Sequence, residues 1–169
     1  MKYKLSDIAS IAEIIGAVAI VLSLIFVGVQ LKDSTRATRS ATANEAISTL
    51  TAWYAEIGTD EQTSSLFWNA MADPEARTPE EWFQFTMVFH GIMLTFQNSF
   101  YLANEGTLDE EIHQSMTEVL VGVKDQPGLH RYWRQRRSIF YRDFQDYVDS
   151  ILAVERRVSD GIYKDMDPQ

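Results

Sequence analysis

At 169 residues, with no cysteine and a net charge of −9, the chain has room for one ordinary domain beside a membrane segment, and disulfides, thiol catalysis and thiolate metal centres are excluded. The acidic excess argues against nucleic acid as a partner, because phosphate backbones are met by basic faces. An apolar content of 46% with 12% aromatics fits a packed core and not a disordered chain.

Residues 14–31 carry no charge and are apolar on every helical face. A run of this length approaches the ~20 residues that cross a bilayer core and exceeds a typical buried core helix, which predicts an N-terminal transmembrane helix. The run is also longer than the apolar region of a cleavable signal, and no small-residue cleavage pattern follows it. Glu13, at the edge of the span, suits an interfacial position favoured by the helix dipole. Lys32, Arg36 and Arg39 follow the span while Lys2 and Lys4 precede it, so the positive-inside rule expects the C-terminal domain in the cytoplasm.

No proline occurs between positions 6 and 57, so the first helix is expected to continue well beyond the membrane. Apolar spacing at Ala43, Ala46, Ile47, Leu50, Trp53, Tyr54 and Ile57 turns one of its faces toward a core. A short helix is predicted over 62–71, closed by Asp73 and Pro74. Thr78, Pro79 and Glu81 form a capping box that opens a long helix with a stop at Gly106. Thr107 to Glu110 repeats the box for a fourth helix, and two more are expected over 129–137 and 143–157. The fold class is therefore all-α: a membrane anchor over 1–32, a soluble helical bundle over 33–160 and an acidic tail over 161–169.

The opening run from Asp7 to Ala17, the segment Phe26-Val27-Gly28-Val29-Gln30-Leu31 and the later Pro127-Gly128-Leu129 with Tyr132-Trp133-Arg134 resemble both ends of uncharacterised bacterial proteins with an N-terminal membrane helix and an all-helical domain. The resemblance implies a bacterial inner (cytoplasmic) membrane location. It implies no activity and no catalytic residue.

Candidate chemistry is sparse. Glu110 and His113 share the i, i+3 spacing of di-iron bundles, but the second motif those need is missing, so a surface helix is expected there. His90 lies in an apolar run and reads as a core or near-core histidine with a hydrogen-bond partner. Arg131, Trp133, Arg134, Arg136 and Arg137 form the strongest basic and aromatic cluster, suited to ion pairs within the bundle or to contact with anionic lipid or an acidic partner. Ala9, Ala12, Gly16, Ala19 and Ser23 line one stripe of small residues, the pattern of a close helix–helix contact in lipid. Phe85, Phe89, Phe96 and Phe100 line another stripe, which is either core or the wall of a ligand cavity. These features favour a non-catalytic membrane-anchored scaffold or accessory subunit that self-associates or joins a membrane complex, without a cofactor. The alternative is a membrane-tethered sensor or regulator that binds a small apolar ligand in its aromatic-rich bundle.

Overall fold

The computed structural model describes the backbone of residues 5–155 and the side chains of residues 12–155; the expected tail over 161–169 lies outside the described residues. The chain is all-helical, with no strand among the described residues. Six α-helices follow in order: α1 (Leu5–Thr59), α2 (Glu61–Ala72), α3 (Pro79–Asn104), α4 (Glu110–Val123), α5 (Pro127–Arg136) and α6 (Arg142–Leu152). Single 3₁₀ turns lie at Pro74–Ala76 and Arg137–Ile139. Two compact units meet within α1, one reaching to Ala41 and the other starting at Thr42.

In the first unit, every described side chain is exposed, from Val27 at 46% to Leu24 at 67% among the large apolar residues. This helix is long and apolar enough to cross a membrane. In its polar continuation the hydroxyls of Thr35 and Thr38 donate to the carbonyls of Leu31 and Ser34 at 2.9 and 3.0 Å, bonds made within the helix itself.

The second unit begins with the remainder of α1, where the expected apolar face is only partly covered: Ile47 and Tyr54 are 44% and 47% exposed, at the edges of a face wider than its neighbours cover. Ala46 is buried, Ala43, Leu50 and Trp53 are half-buried, and the Trp53 indole Nε1 donates to the Val88 carbonyl of α3 at 3.1 Å. Asp60 caps α2 by accepting from the Thr63 amide at 2.7 Å. The capping box of α3 is formed as its sequence indicates, with the Glu81 amide donating to Thr78 Oγ1 at 3.2 Å and the Thr78 amide to Glu81 Oε2 at 2.9 Å. Such caps satisfy backbone donors that the first turn leaves free, each worth about 1 kcal/mol.

Gly106 ends α3 in the left-handed region, at φ 70°. Its amide donates to the Ala103 carbonyl and the Thr107 amide to the Leu102 carbonyl, both at 2.9 Å, the paired closure of a Schellman motif. This closure overturns the second capping box. Thr107 is committed to the end of α3, its hydroxyl also donating to Leu102 at 3.1 Å, so α4 is capped instead by Asp109, which accepts from the Glu111 amide at 3.0 Å.

Pro127 starts α5 two residues before the expected position. Gly128, the next residue, is where α5 meets α2: a Cβ there would stand 2.4 Å from the Ala70 carbonyl oxygen and 2.6 Å from Met71 Cα. Only glycine permits so close an approach. The core that results is aromatic, built around Phe85, Phe89, Tyr132 and Phe144, each at most 2% exposed.

Candidate functional site

The phenylalanine stripe of α3 divides along its length. Phe85 and Phe89 stack with centroids 5.4 Å apart, and Phe89 meets Tyr132 edge-on at 4.8 Å, so both belong to the core. Phe100 lies against Tyr147 at 4.5 Å, in contact with α6. Phe96 and one side of Phe89 instead face a cleft of about 610 Å³. Its other walls are Trp53 and Tyr54 of α1, Phe67 of α2 and Val119 of α4, with Trp68 at 40% and Tyr54 at 47% exposure. The valines and Gly122 of α4 leave the space open where bulkier side chains would fill it.

Few polar groups reach this cleft. Ser64 is occupied, donating its hydroxyl to the Ile57 carbonyl. Tyr54 offers a phenol that burial holds above its usual pKa and therefore protonated at neutral pH. Glu118 contributes the carboxylate. This is the profile of a ligand pocket, mostly apolar with a small number of orienting groups.

His113 lies inside the bundle and not on a surface helix, at 6% exposure. Glu110 alone of that pair is exposed. The Thr117 hydroxyl donates to the His113 carbonyl at 3.0 Å, so it accepts from Tyr147 at 2.8 Å. Tyr147 in turn accepts from His113 Nε2 at 3.2 Å, leaving Nδ1 to accept from Ser99 at 3.0 Å. The network therefore selects one neutral tautomer. Burial lowers the His113 pKa, with Glu110 opposing in part. Ser99 is 1% exposed and does not line the cleft, so this chain of polar groups knits α3, α4 and α6 together. No group of three or more His, Cys, Asp or Glu is placed to hold a metal among the described residues.

His90 is half-buried, with Nδ1 2.6 Å from the Tyr132 hydroxyl. Burial pushes the Tyr132 pKa far up, so the phenol keeps its proton and donates it to His90. Burial and the nearby Arg136 charge lower the His90 pKa.

The basic cluster is dispersed by the fold. Trp133 is a correction: it is 5% exposed, with Nε1 donating to Asp149 Oδ1 at 2.7 Å, and it presents no contact surface. Arg137 pairs with the same Asp149 at 2.6 Å and with Asp146 at 3.5 Å. Arg131 donates to the Pro74 carbonyl, lies 3.6 Å from Glu75 and stacks 4.3 Å from the Trp82 ring centre. Arg134 is exposed. Arg136 lines a second cavity together with Arg77 and Arg131. Helical phase explains the split, since residues three or four apart share a face while 133 and 134 do not. On α1, Ala12, Gly16, Ala19 and Ser23 are exposed; the Ala9 side chain lies outside the described residues.

Two features had weak sequence signals. Lys124 is 2% exposed, with Nζ donating to Asp125 and to the Val154 carbonyl, both at 2.7 Å, although nothing in its sequence neighbourhood marks it as buried. Arg77 joins the second cavity from a loop far from Arg131 in sequence. Comparison with known proteins returned no family model, no curated protein and no solved structure that matches the chain.

Proposed function

We propose that the chain is a membrane-tethered, non-catalytic sensor or regulator that binds a small apolar ligand in the cleft between α1, α2, α3 and α4. The observation that carries this reading is the cleft itself, about 610 Å³ with aromatic and aliphatic walls, within the roughly 300–1,000 Å³ of ligand sites. A bundle that served only as a spacer would gain stability by filling that space. The tether rests on residues 14–31, whose apolar side chains are exposed all round; water-soluble surfaces seldom carry such a patch. The charge balance around the span favours a single pass with the bundle in the cytoplasm.

The test uses the full chain in lipid nanodiscs and N-phenylnaphthylamine, a neutral apolar dye excited by energy transfer from tryptophan. Trp53 and Trp68 line the cleft, so saturable transfer is expected. Val119→Phe, which occupies the space, should abolish the saturable part and leave the non-saturable lipid background. Identical titrations of the two proteins would remove the ligand reading.

A second reading, the self-associating scaffold, is favoured by the small-residue stripe. The small side chains of Ala12, Gly16, Ala19 and Ser23 would let two helix backbones approach closely in lipid. Gly16→Leu should then lower the assembled mass in mild detergent while Val18→Leu leaves it unchanged. Equal masses would remove the scaffold reading.

A further inference from the structure

A second cavity, independent of the apolar cleft, lies between the start of α3 and the last turns of α5. Its volume is about 330 Å³, and Arg77, Arg131 and Arg136 all line it in a chain whose net charge is −9. Two polar atoms of its lining residues are buried without a hydrogen-bond partner among the described residues: Arg136 Nε and Thr86 Oγ1, the latter on a residue 1% exposed. Nε is sealed from solvent, so what the site offers is an Arg136 guanidinium charge with no ion pair among the described residues, behind a cavity wall where an anion would offset it.

The other two arginines are held in place with charge to spare. Arg131 is positioned by the Trp82 ring at 4.3 Å and the Pro74 carbonyl, and its ion pair with Glu75 is long, 3.6 Å, to a carboxylate 75% exposed. Arg77 meets Glu81 at 3.8 Å, again at the surface. Such exposed pairs are worth little and yield readily to a stronger acceptor. Gln135 is fixed beside them, its carbonyl accepting from Trp82 Nε1 at 2.9 Å, which leaves its amide N–H groups available as donors.

We propose that this cavity is a binding site for a phosphomonoester group. Guanidinium forks match phosphate oxygens bidentately, and three of them around one small cavity exceed what a single carboxylate would require. The phosphate could come from a soluble metabolite or from the headgroup of phosphatidic acid.

The experiment follows the melting of the full chain by tryptophan fluorescence. One arm adds inorganic phosphate to protein in neutral detergent, against chloride at equal ionic strength. The other compares bilayers of phosphatidylcholine with and without phosphatidic acid. A saturable rise in melting temperature is expected in at least one arm, phosphate alone indicating a soluble source and phosphatidic acid alone a lipid source. Arg136→Gln should weaken the apparent affinity about tenfold, as loss of a charged hydrogen bond does, while Arg134→Gln, which removes equal charge from an exposed position on the same helix, leaves it unchanged. Should Arg136→Gln fail to fold, Arg77→Gln serves in its place with the same expectation. No rise beyond chloride and phosphatidylcholine, or equal losses in the arginine variants, would overturn the proposal.

Discussion

The two parts of α1 belong to one continuous helix and behave oppositely. In residues 12–31 the apolar side chains point in all directions and stay exposed, whereas in residues 42–59 they are fewer and divide, Ala46 buried and Leu50 and Trp53 half-buried while Ile47 and Tyr54 stay exposed. A helix needs only a stripe of apolar residues to join a protein core; one that is apolar all round is matched to a surrounding solvent that is itself apolar. Both the number of apolar residues and their angular distribution separate the two parts.

Charge insertion should break that comparison most strongly. Leu22→Arg places a cation in the middle of the apolar run, at a cost of about 2.5–3.5 kcal/mol for insertion at a membrane centre. It is expected to release the chain into the carbonate-soluble fraction, while Ile47→Arg, at a position 44% exposed in the second unit, leaves it in the pellet. Retention of Leu22→Arg in the pellet would show that a charge in mid-span does not weaken the attachment, against the reading of residues 14–31 as a lipid-held span.

Glycine replacement separates the regions by packing. Gly128→Ala sets a methyl against the α2 backbone and should lower stability by about 1–3 kcal/mol, the usual range for overpacking, read as a lower melting temperature. Gly16→Ala meets no neighbour within 4 Å and should leave the melting of the bundle unchanged.

The smallest effect is expected from pH. His90 and His113 have folded-state pKa values below the ordinary 6.5, so as pH falls through 6.5 the unfolded chain takes up protons before the folded one does. Stability from these groups is complete above that value and declines below it. Thermal melts between pH 7 and pH 5 should show that decline, and His113→Gln should reduce it, while membrane retention of the first part of α1 stays constant across the same range. A steeper decline in the variant would refute the assignment of a neutral His113.

Much of this was legible locally. The capping box at Thr78 and Glu81 and the stop at Gly106 depend on residues within a few positions of one another, so reading them required no knowledge of the fold. The second capping box failed because Thr107 had two local uses, and the Schellman closure at Gly106 claimed it. The surface assignment of His113 failed for a longer-range reason: Tyr147 and Ser99, its partners, lie on other helices. Trp133 likewise belonged to a basic run in sequence and to Asp149 in space.

The sequence by itself determined the helical class, the unusual apolar span and most helix ends, because periodicity, capping and side-chain polarity act over one or two turns. Tertiary structure alone decided that Trp53, Phe67 and Val119 enclose a cleft with Phe96, and that Arg77 joins Arg131 and Arg136 around a second cavity. Cavities are properties of space left between elements, and the volume left there depends on how closely backbones approach, as at Gly128, which no single segment encodes.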